Sequence, residues 1–200
     1  MTKLMTILAT LSLATAALAA NPPDAYQVRY AANVQNTLAG DSIVNLTNAG
    51  SLAGTDPAGD ICANVYVFAE KQSLIACCSC PLTPNHTKTL SVRSDLVTNT
   101  LTPYHPQSVT IGLVASQGTT CNASAVTVAN LVSGLRAWGT TLHAMPGAGF
   151  ALTETAFVPA TLSASELQKM TSYCSFIQVD ASGYGICGPC RTGASGAARQ

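Results

Sequence analysis

Charged residues are scarce in this sequence. Its 200 residues contain nine Lys or Arg and nine Asp or Glu, which give a formal net charge of zero. The basic residues form no cluster, whereas proteins that bind nucleic acids or anionic membranes carry a basic patch. We therefore expect neither nucleic acid nor a membrane surface as a partner. Low charge combined with much Ala, Thr, Ser, Asn and Gly is typical of exported envelope and structural proteins.

Catalytic motifs are also missing. The sequence contains no Gly-x-Ser-x-Gly segment, which positions the nucleophile of many hydrolases. Its acidic residues never pair in the way that marks a glycosidase. The three histidines, His86, His105 and His143, fall in separate predicted loops or strand ends. These observations predict a protein that is not an enzyme and that holds no cofactor and no metal.

Long apolar segments are absent after residue 20. Before it, Lys3 precedes an apolar run from Leu4 to Leu18, and Ala17-Leu18-Ala19 gives the small-x-small pattern of a cleavage site. The run is shorter than the roughly 20 residues that cross a bilayer. We therefore expect a signal peptide at residues 1–19, a secreted or cell-envelope location, and no membrane span after cleavage.

Cysteine, in contrast, is abundant. The chain contains eight cysteines, and an even number in an exported protein predicts disulfides. The number alone does not determine which cysteines pair. The candidate disulfide residues are Cys62, Cys77, Cys78, Cys80, Cys121, Cys174, Cys187 and Cys190.

One β-hairpin is clear from the pattern of residues. Residues 61–68 and 73–80 both favour strands, and a polar tip around Glu70 and Lys71 separates them. Counting back from this tip places Cys62 opposite the cluster Cys77-Cys78-Ser79-Cys80, within a residue or two. Because cross-strand neighbours are close enough for a disulfide, we expect one bond from Cys62 into this cluster.

Other short segments also predict strands. The clearest alternation of apolar residues is Val109, Ile111 and Leu113. Together with the hairpin, these segments predict eight or nine strands and no alternation of strands with helices, a pattern that favours a β-sandwich. The remaining predicted strands are residues 26–30, 42–46, 87–93, 135–142 and 150–158 and a segment at Val126 and Val128.

A single helix is predicted near the C-terminus, at about residues 163–177. Ser163 and Glu166 fit a capping box, and apolar residues follow at helical spacing. Cys174 lies on this apolar stripe, so it is either a disulfide partner that ties the helix to the sheet or a packed thiol. The sequence thus predicts one mainly β domain at residues 20–191, a disulfide-linked β-sandwich with a docked C-terminal helix, and a flexible tail at 192–200.

The segment Cys187-Gly-Pro-Cys190-Arg191 admits three interpretations. It matches the active-site motif of thioredoxins, but only ten residues follow Cys190, too few for the helix that activates such a cysteine. With Cys77 and Cys80 it would supply four thiolates for zinc, although the two knuckles of such sites are usually much closer in sequence. The third interpretation, a structural disulfide staple on a Gly-Pro turn, is the one we favour.

Aromatic residues offer a possible ligand surface. Tyr104 and Trp138 are the candidates to face a glycan or another small ligand, although aromatic residues in strands more often belong to the core. A change in the fluorescence of the single Trp on adding a ligand would distinguish these cases.

Five segments carry a resemblance to known proteins: residues 62–68, 77–81, 90–96, 99–101 and 187–194. Together they resemble a group of exported, uncharacterised proteins of soil bacteria of the acidobacterial kind. The resemblance implies export and disulfides, and it assigns no activity and no functional residue.

Our leading hypothesis is therefore a secreted or cell-envelope protein with a structural or adhesive role. Its partners are further copies of itself, joined through edge strands with residues 26–34 as an exchanged strand, or cell-surface components.

Overall fold

The structure is a computed structural model that describes residues 22–32, 34, 41–51, 59–98, 106–147, 149–179 and 185–191. This part of the chain forms two antiparallel sheets with a helix on one of them, which confirms the predicted mainly β class. The predicted signal peptide and tail lie outside the described residues. The elements are β1 (Tyr26–Ala31), β2 (Ser42–Asn48), β3 (Ile61–Ala69), β4 (Leu74–Leu82), β5 (Thr87–Ser91), β6 (Val109–Gln117), β7 (Leu135–Ala144), β8 (Phe150–Ala156), β9 (Val158–Pro159) and α1 (Ala164–Ile177).

The two sheets differ in size and strand order. The five-stranded sheet has the order β4-β3-β6-β1-β9, and the four-stranded sheet has the order β5-β2-β7-β8. The predicted hairpin is β3 and β4, whose register places Cys62 opposite Pro81 and Ala63 opposite Cys80. Within the described ranges, no helix is long and apolar enough to cross a membrane.

The main core lies between the sheets. Alternation along each strand directs one set of side chains inward, as β2 shows with buried Val44 and Leu46 between half-buried neighbours. Leu90 of β5 lies beside Val44 in the same sheet, whereas Leu113 of β6 faces them from the other sheet, and both are fully buried. Each such side chain contributes about 1.5–3 kcal/mol to the free energy of folding. The sandwich is therefore held together by this apolar layer.

A second core lies between the five-stranded sheet and α1. Leu167, Met170, Cys174 and Ile177 are buried, which confirms the predicted apolar stripe. The helix begins after Ser163, whose Oγ accepts a hydrogen bond from the Glu166 amide at 3.1 Å. This bond satisfies an amide that has no partner inside the helix.

Tyr66 belongs to this second core. Its hydroxyl donates a 2.6 Å hydrogen bond to the carbonyl of Ala123, and burial raises the pKa of this hydroxyl. The bond ties β3 to the loop that follows β6. Tyr66 is thus a buried polar group whose hydrogen-bonding capacity is used.

One predicted strand is wrong. Val126 and Val128 lie in a connection with two short 3-10 turns, Ala123–Ala125 and Val128–Asn130. The Asn122 side chain accepts from the amide of Ser124, and the Asn130 side chain accepts from the amide of Thr127. Such local side-chain bonds offer the backbone an alternative to strand pairing.

A charged side chain lies between the two sheets. Arg29 of β1 is 9% exposed and donates to the hydroxyl of Thr155 at 2.9 Å and to that of Thr141 at 3.0 Å. Burial lowers the pKa of its guanidinium. Gly139 of β7 leaves space for the guanidinium, because a Cβ at that position would overlap it. The glycine and the arginine therefore form one packing unit.

Candidate functional site

All eight cysteines form disulfides. The pairs are Cys62–Cys121, Cys77–Cys174, Cys78–Cys187 and Cys80–Cys190. The prediction that the eight cysteines pair with one another is confirmed, as is the disulfide that ties α1 to the sheet through Cys174. Each pair joins β3 or β4 of the five-stranded sheet to a segment outside the sheets.

Alternation along β4 explains why three neighbouring cysteines reach different partners. Cys77 points to the outer face, where α1 places Cys174, whereas Cys78 and Cys80 point towards the main core. There they meet Cys187 and Cys190. A strand with cysteines on both of its faces thus links the helix on one side and the C-terminal segment on the other.

The predicted bond from Cys62 into the cluster is wrong. The register was predicted within two residues, but Cys80 lies opposite Ala63 and so points to the face away from Cys62. Cys77 shares the face of Cys62 but is paired with Tyr66, four residues along β3, which is about 13 Å away. Cys62 instead bonds Cys121, in the loop after β6.

The Cys-Gly-Pro-Cys segment is a structural clamp in this structure. Cys187 and Cys190 bond to β4 and not to each other, and Gly188–Cys190 forms a single 3-10 turn between them. The Sγ atoms of Cys80, Cys187 and Cys190 lie within 4.8 Å of one another, yet each is in a disulfide and none is a thiolate. Thiolates are the form that zinc binding and thiol exchange require.

This clamp also covers one edge of the five-stranded sheet. The amide of Ser79 donates to the carbonyl of Gly185 at 2.9 Å, and the amide of Cys187 donates to the carbonyl of Ser79 at 3.1 Å. The C-terminal segment therefore occupies backbone groups of β4 that would otherwise be free. At the other edge, β9 has only two residues, one of which is Pro159. Short edge strands and proline both discourage pairing with another chain.

The four-stranded sheet has one protected and one unprotected edge. β5 is five residues long and carries Lys88, a common protection of an edge strand. β8 is seven residues long, contains neither lysine nor proline, and every one of its residues is exposed. In the part of the chain that the structure describes, β8 pairs only with β7. We call its other side the β8 edge.

The backbone groups at the β8 edge follow from the ladder with β7. The amide of Phe157 donates to Ala137, and the amide of Met145 donates to Gly149, so odd-numbered residues direct their backbone groups towards β7. The amides and carbonyls of Phe150, Leu152, Glu154 and Ala156 therefore point outward. These four alternate residues of β8 each offer an amide and a carbonyl at the β8 edge.

An apolar patch lies beside this edge. Phe150 is 54% exposed and Leu152 is 63% exposed. Leu152 is paired with Leu142 of β7, and Trp138, half-buried, lies on the same outer face of the sheet. The predicted ligand-facing residue Trp138 thus belongs to the surface around the β8 edge.

The other predicted site residues lie apart from this surface. Tyr104 and His105 are outside the described residues. His86 lies in the turn between β4 and β5, and His143 lies near the end of β7, both exposed. Of residues 26–34, predicted to be exchanged between copies, residues 26–31 form β1, which pairs with β6 along its length and with β9 at Gln27 and Val28. β1 is therefore an inner strand.

Comparisons with known proteins add little. No protein-family model and no curated protein matches the sequence. Among solved structures, the crystal structure of Thermotoga maritima 1070 superposes with a TM-score of 0.42 and 9% identity, covering 70% of this chain and 97% of that chain. A similarity at this level carries no argument about function.

Proposed function

We propose that the protein is a secreted or cell-envelope protein with a structural or adhesive role, which assembles by pairing the β8 edges of two copies. The observation that carries the proposal is the β8 edge, a fully exposed strand without the features that protect the other edges. Four disulfides support export, because disulfides persist in oxidising compartments.

Antiparallel pairing about Thr153 fits the outward backbone groups. In this register Leu152 lies opposite Glu154 of the second copy, and Phe150 lies opposite Ala156. These are the residues whose amides and carbonyls point outward, so the two strands form about eight hydrogen bonds. The two sheets become one continuous eight-stranded sheet. Because the same edge is used twice, the interface closes as a dimer.

The side chains favour this register over its neighbours. A register centred on Glu154 would place the two carboxylates directly opposite each other, which is destabilising. Centring on Thr153 keeps Glu154 opposite Leu152 and uses all seven residues of β8. The apolar side chains of Phe150 and Leu152 then extend across the joined sheets on one face. The partner that fits the β8 edge is therefore β8 of a second copy.

Two opposite charges at one position test both the dimer and its register. Leu152→Lys places an ammonium opposite Glu154 of the second copy, whereas Leu152→Glu places a second carboxylate there. Both variants lose the same apolar contact. We expect the dimer dissociation constant of Leu152→Glu, measured by analytical ultracentrifugation, to exceed that of Leu152→Lys by about tenfold at low salt, since two such pairs occur per dimer. The difference should shrink at high salt.

A backbone variant tests the pairing itself. Leu152→Pro removes an outward amide while the hydrogen bonds to β7 remain, so it should be monomeric, with the far-ultraviolet circular dichroism of the parent. Leu152→Thr keeps the amide and should remain dimeric. A parent protein that stays monomeric at about 1 mM contradicts the proposal. Equal dissociation constants for the Lys and Glu variants contradict the register.

A further inference from the structure

A second candidate site lies on the opposite side of the molecule, on the outer face of the five-stranded sheet. A cleft of about 550 Å³ opens between this sheet and α1. Four aromatic side chains line it: Tyr26 and Tyr30 from β1, Phe68 from β3 and Tyr173 from α1. The volume is in the range of small-molecule sites. The cleft is independent of the β8 edge.

The sheet register forms a slot within this cleft. Thr110 of β6 pairs with Tyr30 on one side and with Phe68 on the other, so the three residues form one row across neighbouring strands. Strands are about 4.8 Å apart, which places the two aromatic residues about 10 Å from each other with the small threonine between them. The threonine hydroxyl is at the floor of a slot between two aromatic side chains.

The exposed tyrosines are not explained by packing. Tyr30 is 63% exposed and Tyr173 is 52% exposed, although both line the cleft between the sheet and α1. Tyr26 reaches under the helix and lies against Gly112, where a Cβ would be 3.2 Å from its ring. Burial, followed by the nearby Glu166 carboxylate, raises the pKa of Tyr26. Its hydroxyl therefore remains a hydrogen-bond donor at neutral pH.

The charged side chains around the cleft have partners within the protein. Glu166 lies 3.9 Å from Lys169 on α1. Glu70 accepts hydrogen bonds from the amides of Gln107 and Ser108, at 3.0 and 3.2 Å. Two carboxylates and one ammonium disfavour an anion as the ligand, and because the protein already engages all three, we take the uncharged groups as the polar contacts for a ligand. The remaining polar groups are hydroxyls and an amide, from Ser108, Thr110 and Gln72.

We infer that the cleft binds a neutral saccharide, with one pyranose ring in the slot between Tyr30 and Phe68. A pyranose has apolar C–H faces that stack on aromatic rings and a rim of hydroxyls that act as donors and acceptors. The cleft offers both complements, aromatic side walls and uncharged polar groups at the floor and rim. Tyr173 lines the cleft from α1.

Titration calorimetry of the full exported protein tests this inference. The neutral probes are glucose, galactose, N-acetylglucosamine, maltose and cellobiose and the tetrasaccharides maltotetraose and cellotetraose. The charged probes are choline and glucuronate. We expect at least one neutral probe to bind with an affinity that salt does not change, and the charged probes not to bind. A tetrasaccharide that binds more tightly than its disaccharide identifies a polysaccharide chain as the source, whereas equal affinities identify a free sugar.

Matched variants locate the binding. Tyr30→Ala and Tyr173→Ala should each weaken it by at least about tenfold, since truncated tyrosines at binding centres have effects of this size. Phe176→Ala is the control, because Phe176 is a 65% exposed aromatic residue of α1 that does not line the cleft. The emission of Trp138, which lies on the other sheet, should not change on binding.

Three results overturn the inference. They are the absence of binding by every neutral probe at about 10 mM, binding of choline in preference to all of them, and unchanged affinity in the Tyr30→Ala and Tyr173→Ala variants. Loss of dimerisation through β8 variants leaves the cleft intact, so the two proposals fail separately.

Discussion

Removing one disulfide should cost far less than its sequence separation suggests. Cys80 and Cys190 are 110 residues apart, and a lone disulfide closing such a loop stabilises a chain by about 5 kcal/mol. In this protein Cys78–Cys187 already holds the same two segments together. With that bond present, the Cys80–Cys190 bond closes a ring of only about seven residues. The same entropy relation then gives about 2 kcal/mol.

A double-mutant cycle isolates this effect from packing. Cys80→Ala with Cys190→Ala is made in the parent protein and in a background that lacks Cys78–Cys187. In that background the nearest remaining closure is Cys77–Cys174, so the ring grows to about 21 residues. The cost should therefore rise by about 1 kcal/mol. Packing losses occur in both backgrounds and largely cancel.

Urea unfolding followed by circular dichroism, with the remaining disulfides kept oxidised, measures both costs. Free energies are compared at equal m-values, because a change in m would indicate a change in the unfolded state. If removing Cys80–Cys190 has the same cost in both backgrounds, the ring argument is refuted. A cost near 5 kcal/mol in the parent protein would refute it as well.

Three further predictions concern the two cores. Gly139→Ala should destabilise the protein by about 1–3 kcal/mol in urea unfolding, because the new methyl overlaps the Arg29 guanidinium; Gly149→Ala, with open space around it, is the control. The raised pKa of Tyr66 means that the folded state favours its neutral form. This contribution to stability is complete below pH about 10 and declines at higher pH. Tyr66→Phe should flatten the alkaline limb of the stability curve. Finally, amides of β2 should exchange with solvent faster than those of β3 in hydrogen-exchange mass spectrometry, because the four-stranded sheet carries no cysteine. Reduction should abolish that difference.

Features that depend on neighbouring residues were predicted well from the sequence. The β3–β4 hairpin follows from its two β-rich runs and polar tip, and its register was placed within two residues. The helix follows from the Ser163 cap and the apolar spacing of Leu167, Met170 and Cys174. Both signals are local, so no knowledge of the rest of the fold is needed to recognise them.

Features that depend on strand order could not be predicted in the same way. The partner of Cys62 depends on which face it occupies, and alternation alone excludes Cys80, but nothing in the sequence indicates that the loop containing Cys121 lies nearby. Residues 150–158 were predicted as a strand. That β8 is an edge depends on which strands flank β7, a long-range property. The cleft likewise joins β1, β3 and α1, which are distant in sequence.

The three cysteines of β4 are synthesised well before their disulfide partners. Cys77, Cys78 and Cys80 precede their partners by 97, 109 and 110 residues. During the export proposed above, these three thiols enter the oxidising compartment before their partners do. Cys62–Cys121 is the one native bond that can close during this interval.

Formation of the native disulfides therefore depends on the segment that carries Cys174, Cys187 and Cys190. A bond formed among the three β4 cysteines is non-native. It must be exchanged once Cys174, Cys187 and Cys190 enter the same compartment, a reaction that disulfide isomerases catalyse. A chain cut after residue 186 retains Cys78 and Cys80 without partners, two residues apart. The thiols of such a truncated chain are then available to form disulfides with other molecules.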